Sequence, residues 1–227
     1  MNLLAAIPYF ADLGPAVLEA IAARCRPKLL SAGETVFMEG DPCVDLRILE
    51  SGRVKFYRVN PEGREQVLKV FDAAGDTFCI ASAFTTGRHI VSAKAATETR
   101  LQLLDMGTVH RLVREHPSIG LKLMATAGEH LSHLVDLAED LALKTATARL
   151  AKHLYEAAVA ERAATGGEIR LSRDRFPEEE LAAIVGTVRV HISRSLTSLA
   201  RAGAIDVDRE FIRIRDLAML QRISEGK

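Results

Sequence analysis

Between Gly186 and Gly203 the chain carries Arg189, Arg194 and Arg201 together with His191, and no acidic residue. A cationic run of this kind can neutralise phosphates, and an arginine within it can make a bidentate contact to guanine. Other residues able to do chemistry are sparse: the cysteines Cys25, Cys43 and Cys79, and histidines that include His89, His130 and His133. The cysteines lie far apart with no CxxC pair, so neither a disulfide framework nor a zinc site is expected and buried thiols account for them. Redox switching through any of the three finds no basic, thiolate-stabilising neighbour in the sequence. P-loop, GxSxG, HExxH and GxGxxG patterns are lacking, and acid pairs such as Glu139-Asp140 read as a solvated helix face, so catalysis is not expected.

The basic run needs a helix to present it. Pro177 suits a helix start, and Glu178, Glu179 and Glu180 put negative charge in the first turn, where the helix dipole favours it. Gly186, Thr187 and Val188 then supply the tight turn of a helix-turn-helix, and a second helix begins at about Arg189. In that helix Ile192, Leu196 and Leu199 share an inner face, leaving Val190, Ser193, Arg194 and Thr197 outside. Residues 204–207 and 211–214 flank the turn Asp208-Arg209-Glu210 as a hairpin, which would serve as a wing. Upstream, Ala148, Leu150, Ala151 and Leu154 continue a helix past a hinge at 142–144, and residues 168–171 read as a short strand.

Before the hinge, Pro117–Leu143 reads as one long helix. Gly120, Met124, Ala127, Leu131, Leu134, Ala138 and Leu141 recur at alternating spacings of four and three, a heptad seam on one face. At about 1.5 Å per residue the helix spans ~40 Å, longer than one small domain needs, so a second copy of the chain is the expected partner along that seam. The first half of the chain has a different period. A helix over residues 15–25 gives way to β-prone runs at 35–37, 46–49, 54–59, 66–71 and 99–104, separated by turns bearing Gly33, Gly40, Gly52, Gly63 and Gly75. This predicts a small antiparallel roll, followed by a short helix over 108–115.

Composition agrees with two modest domains: 227 residues, 48% hydrophobic and 26% charged. Thirty basic residues balance thirty acidic ones, so contact with nucleic acid must come from the local patch rather than from a global field. The opening MNLLAAIPYF lacks the features of a secretory signal and no apolar run reaches about eighteen residues, so a cytoplasmic location without a membrane partner is expected.

The pieces GETVFMEGDPCVDLRILESGRVKFY, EGREQVLKVFDAAGDTF and SAKAATETRLQLLD, with the spacing of the five turn glycines, resemble the sensor domain of the cyclic AMP receptor protein and FNR (CRP/FNR) family of bacterial transcription regulators. With the long helix and the helix-turn-helix, the resemblance covers nearly the whole chain. It implies an α+β architecture: an N-terminal antiparallel β-roll of the cyclic-nucleotide-binding type (1–116), a dimerisation helix (117–143) and a C-terminal winged helix-turn-helix (144–227). It also implies a homodimer on a roughly palindromic double-stranded operator with half-sites ~34 Å apart, a small-molecule effector and RNA polymerase as a further partner. Thr187, Arg189, Val190, His191, Ser193 and Arg194 fall where such regulators meet DNA. Ser193-Arg194 matches the E-x-x-S-R pattern of FNR-like members, but Val190 stands in place of its glutamate and cannot accept a hydrogen bond from cytosine. Met124, Ala127, Leu131, Leu134, Ala138 and Leu141 are the implied dimer interface.

For the effector, the resemblance points to Gly75, Asp76, Cys79, His89, Leu134 and Val135. Cyclic AMP is disfavoured, because the glutamate, arginine and hydroxyl groups that hold it in relatives correspond here to Asp76, His89 (or Arg88 with a one-residue slip), Leu134 and Val135, leaving its polar groups unpaired. A four-cysteine iron-sulfur cluster of the FNR type is ruled out by a count of three. GDTFCIASAF resembles the carbon-monoxide-sensing members, placing Cys79 at their haem-ligating cysteine with Ala81 where they have a replacement histidine. Haem is therefore one candidate effector, with His89, His130 and His133 as further ligands, and the effector's identity stays open. A competing reading is a cyclic-nucleotide-type module that regulates a partner protein; the complete helix-turn-helix and wing argue against it.

Overall fold

The computed structural model describes residues 3–165 and 169–226. A 3-10 turn at Leu3–Ala6 and helix α1 (Pro15–Ala22) lead into β1 (Arg26–Leu30), β2 (Thr35–Phe37), β3 (Asp45–Ser51), β4 (Val54–Val59), β5 (Glu65–Phe71) and β6 (Thr77–Phe78). The short helix α2 (Ile80–Ala83) precedes β7 (Ser92–Ala95), β8 (Thr99–Asp105), α3 (Met106–Glu115), the long α4 (Pro117–Leu143) and α5 (Ala146–Thr165). The C-terminal elements are β9 (Arg170–Ser172), α6 (Glu178–Val185), α7 (Arg189–Arg201), β10 (Ile205–Val207), β11 (Phe211–Ile214) and α8 (Leu217–Ser224).

Two compact units result, one the chain up to Arg58 with Leu68–Leu134, the other Val59–Val67 with everything from Val135 onward. Most of two four-stranded sheets, ordered β1-β8-β3-β6 and β2-β7-β4-β5, falls in the first. β3 explains how they close. Its segment LRIL is buried on both faces: Leu46 and Ile48 pack with Ile7, Phe10, Ile21 and Leu104 in a helical layer, while Leu49 joins Leu30, Val54, Phe71, Phe78 and Leu101 inside the roll. Alternation along a strand forces Arg47 to the same side as Leu49, into the roll interior. Gly52 turns the chain from β3 in one sheet to β4 in the other at φ +96°, and a side chain there would run into the Glu98 carbonyl and Thr99, so both the dihedral and the space require glycine.

The antiparallel roll, long helix and winged helix-turn-helix agree with the α+β expectation. β1, β6, β7 and α8 go beyond the expected elements. β1 contains Pro27 and is tolerated because it is the outermost strand of its sheet, paired with β8 alone. The strand expected at 168–171 is Arg170–Ser172; Glu168 lies outside the described residues. The expected boundary at 116/117 does not follow the packing. Ile119 and Leu123 of α4 are buried in the helical layer of the roll, so the first half of the long helix is part of that unit's core.

In the second unit, α5, α6, α7 and α8 enclose Leu150, Leu154, Leu181, Val185, Ile192, Leu196, Leu199 and Leu220, with Ile212 entering from the antiparallel sheet β10-β11-β9. Full burial of each such side chain contributes about 1.5–3 kcal/mol. Asp216 caps α8 by accepting from the Met219 amide at 2.8 Å. Among the described residues, no helix is long and apolar enough to cross a membrane.

Candidate nucleic-acid interface and effector cavity

α6 ends at Gly186, whose φ of +73° turns the chain toward α7. Ile192, Ser195, Leu196 and Leu199 face inward, and Ser195 Oγ lies 2.9 Å from Thr147 Oγ1 of α5. Val190, His191, Ser193, Arg194 and Thr197 are exposed, Val190 at 58%. Ser193, Arg194, Thr197, Ser198 and Arg201 line a shallow hollow along the helix. The structure qualifies two of the residues picked for DNA contact. Thr187 is 8% exposed and its hydroxyl sits 3.1 Å from His191 Nδ1, so it braces the turn rather than facing solvent. Arg189 is exposed but forms ion pairs with Glu178 at 3.5 Å and Glu179 at 3.0 Å, which must loosen before it can serve a phosphate.

Arg149 of α5, which the sequence did not single out, binds four carbonyls. Its guanidinium donates to Val185 O at 2.7 Å, Lys144 O at 2.6 Å, Asp140 O at 3.3 Å and Gly186 O at 3.4 Å. These carbonyls lie at the C-termini of α4 and α6, where a cation complements the helix dipole; the Asp140 carbonyl also accepts from the Lys144 amide at 3.1 Å. Asp140 reinforces the bend between α4 and α5 by pairing with Lys144 at 2.8 Å and Lys152 at 2.5 Å.

Along α4 an exposed apolar stripe is present that keeps Met124, Leu131 and Ala138 of the expected seam. Met124 and Leu131, each 64% exposed, share it with Leu121, Gly128, Val135 and Ala138 at spacings of three and four. Ala127 is half-buried beside it and Ala138 remains exposed on it. Leu141, expected on the seam, is 38% exposed and also lies beside Gly186 of its own chain: a Cβ added to Gly186 would lie 2.5 Å from Leu141 Cδ2. Val135, expected in the effector site, is 59% exposed and belongs to the stripe, whereas Leu134 lines the cavity.

That cavity, of about 120 Å³, has an aromatic wall of Phe37, Phe56, Phe71 and Phe78 and is completed by Lys69, His130, His133 and Leu134. His133 Nε2 is 3.0 Å from the Leu68 carbonyl. Burial pushes the Lys69 ammonium down, against the opposing charges of Asp76 and Glu129, and pushes His130 down in concert with Lys69. The rim therefore favours neutral groups. Of the residues picked from sequence, Cys79, His89 and Leu134 line the cavity. Gly75 and Asp76 do not. Gly75 donates to Leu49 O at 2.8 Å, and Asp76 Oδ2 accepts from the Asp72 and Ala73 amides of its own turn at 3.1 and 3.0 Å.

Of the residues that the resemblance offers to haem, Cys79 and His89 already have a partner in Arg47, while His130 and His133 line the cavity. The cavity is smaller than the ~300–1,000 Å³ usual for sites of drug-sized ligands. Cys79 Sγ lies 3.2 Å from Arg47 Nη1, so the sulfur that would ligate iron already faces a cation. His89 is committed elsewhere, stacked on Phe37 with ring centroids 3.6 Å apart and its Nε2 3.1 Å from Arg47 Nη1. Arg47 is the residue that sequence reasoning missed here. An arginine at a core-facing position within an apolar strand was the available signal.

Residues 27–116 match the cyclic nucleotide-binding domain and residues 148–223 the Crp-like helix-turn-helix domain. The chain is 30% identical over 221 residues to a CRP-like cAMP-activated global transcriptional regulator of Mycobacterium tuberculosis, spanning 97% of this chain and 98% of that one. It is 26% identical over 201 residues to the fumarate and nitrate reduction regulatory protein of Escherichia coli, spanning 88% and 78%. The fold is that of FixK2 from Bradyrhizobium japonicum, with a TM-score of 0.75 at 22% identity over 88% of this chain and 96% of that one. A roll that matches the cyclic nucleotide-binding domain, a long helix with an exposed apolar stripe and a helix-turn-helix with an exposed second helix thus occur together in a chain that belongs to the CRP/FNR family of transcription regulators.

Proposed function

We propose that this chain acts as a homodimer that binds a roughly palindromic operator, and that a small, largely apolar effector in the roll cavity, rather than cyclic AMP or haem, controls it. The observation that carries the reading is the outer face of α7, where Val190, Ser193, Arg194 and Thr197 are exposed over a fully packed inner face. This is the arrangement that lets a recognition helix enter a major groove. The stripe from Leu121 to Ala138 supports pairing of two copies, since large contiguous apolar surface on an isolated chain marks an interaction site. Two-fold pairing would set the two α7 helices on half-sites one helical turn apart.

The relative from M. tuberculosis is named as cAMP-activated. Three features argue against carrying that ligand over: Asp76 Oδ2 is engaged by its own turn, His89 by Arg47, and the α4 wall of the cavity is His130, His133 and Leu134 without a hydroxyl. Four phenylalanines suit an apolar or aromatic molecule of few atoms. An effector that binds one arrangement of the paired helices better than the other would shift their balance and so the operator affinity. RNA polymerase remains the partner implied for a regulator of this family.

The test combines light scattering for mass with selection of operators from a randomised duplex library. A dimer that enriches an inverted repeat is expected; a monomer in the presence of duplex, or no enrichment, overturns the reading. Calorimetry with cyclic AMP and an absorption spectrum after haem reconstitution address the effector. Micromolar cAMP binding or a stoichiometric Soret band would overturn that part.

A further inference from the structure

Beside the cavity, inside the roll, lies a cluster that the regulatory reading does not use. Arg47 is buried, yet among the described residues no carboxylate pairs with it. Its Nη1 reaches Cys79 Sγ at 3.2 Å and His89 Nε2 at 3.1 Å, and its guanidinium lies 4.8 Å from the centre of the Phe37 ring. Cys43 closes the group, its Sγ 3.6 Å from the Cys79 carbonyl oxygen, and the Cys43, Cys79 and His89 donor atoms all lie within 4.8 Å of one another. All three residues are buried and both cysteines are free thiols. A buried cation without a counter-ion is costly, and the group at hand that can become its anion is a thiolate. This is the basic setting that the sequence concealed.

We propose that Cys43 and Cys79 form a reactive thiol pair that hydrogen peroxide, or a small organic hydroperoxide, oxidises to an intramolecular disulfide. The Cys43 thiolate attacks one peroxide oxygen: an S–O bond forms, the O–O bond breaks, and the departing hydroxide takes the proton that Cys43 released to become water. The Cys79 sulfur then attacks the sulfur of the sulfenic acid. The S–S bond forms, the S–O bond breaks, and the leaving hydroxide departs as water with the Cys79 proton. Two electrons pass from the sulfurs to the peroxide, and two thiols plus one peroxide give one disulfide and two waters.

The order of attack follows from the surroundings. A hydrogen bond from Cys79 and the Arg47 charge draw the Cys43 thiol down despite its burial, while burial pushes Cys79 up, making Cys43 the attacking and Cys79 the resolving thiol. Cys79 and not Cys43 lines the cavity, so peroxide that enters it meets the pair from the Cys79 side. A soft divalent metal is the competing occupant of two thiols and an imidazole, but Arg47 already occupies His89 Nε2 and sets a positive charge against two of the three donors. Cys79 holds φ +83°, a left-handed backbone in a residue other than glycine, and caps α2 on the cavity wall. Cross-linking it to Cys43 would therefore alter that wall.

The test uses the full-length Cys25→Ser protein, reduced, exposed to hydrogen peroxide and then alkylated and digested for mass spectrometry. A Cys43–Cys79 cross-linked peptide, lighter than the free pair by two hydrogens and restored by dithiothreitol, is expected. In the Cys79→Ser variant, dimedone should trap a sulfenic acid at Cys43, and Arg47→Met should slow oxidation about tenfold or more. Circular dichroism confirms that each variant is folded, and the Cys79→Ser result stands by itself if Arg47→Met is not. Both thiols remaining alkylatable at peroxide concentrations that oxidise glutathione would overturn the proposal. So would one zinc per chain in the purified protein that blocks alkylation of Cys43 and Cys79 until it is chelated.

Discussion

Leu141 Cδ2 occupies the space in front of Gly186, so the end of the long helix and the turn of the helix-turn-helix fit together through a missing side chain. A Cβ on Gly186 would also lie 2.6 Å from Gln66 Oε1, and φ there is +73°. Gly186→Ala should therefore cost roughly 1–3 kcal/mol in thermal or urea unfolding and weaken operator binding. Adding Leu141→Ala should relieve the collision but not the dihedral strain, returning part of the loss.

The exposed stripe makes a discriminating prediction about pairing. Leu131→Glu with Val135→Glu should leave a monomer by light scattering and abolish operator selection. Leu141→Glu, on a side chain that lies beside Gly186, should leave the mass that of a dimer.

On the reading helix, Arg194→Ala should lose ~1–3 kcal/mol of operator affinity, about tenfold or more, with a shallower salt dependence if its contact is a phosphate. Val190→Glu should change the bases preferred rather than the overall affinity, as read from a randomised library. Glu179→Gln should strengthen binding, because it weakens the hold on Arg189.

Burial, then the Arg47 charge, push the His89 imidazole from 6.5 down to about 4, with Asp41 opposing. The unfolded chain takes up that proton at about 6.5, so the stability from neutral His89 is complete above that pH and is lost as pH falls toward 4. Allowing for solvent screening, the loss is roughly 1–3 kcal/mol. His89→Gln should be less stable than the parent at pH 7 and show a flatter profile between pH 6.5 and 4 in denaturant titrations.

Much of this was legible because it is local. Pro117 and the uninterrupted helical period defined α4, and glycine-marked turns delimited β2, β4 and β5 to within a residue. The seam register was not legible, because Gly120/Leu121, Ala127/Gly128, Leu134/Val135 and Leu141/Ala142 are apolar or small in both candidate registers. The burial of Ile119 and Leu123 in the helical layer turns Leu121 and Met124 outward, and that is a tertiary fact. The aromatic cavity and the thiol cluster were hidden for the same reason. Arg47 meets His89 across 42 residues, and no periodicity records such a meeting.

Arg149 has a mechanical consequence. Its fork grips the trailing ends of two different helices, one leading out of the long central rod and the other immediately before the reading helix. A rotation of the rod's end cannot be absorbed as slack between them, since every carbonyl that slips from the guanidinium loses a charged hydrogen bond. The joint behaves as a rivet rather than a flexible strap, holding the last turn of α4 to the turn that precedes the reading helix.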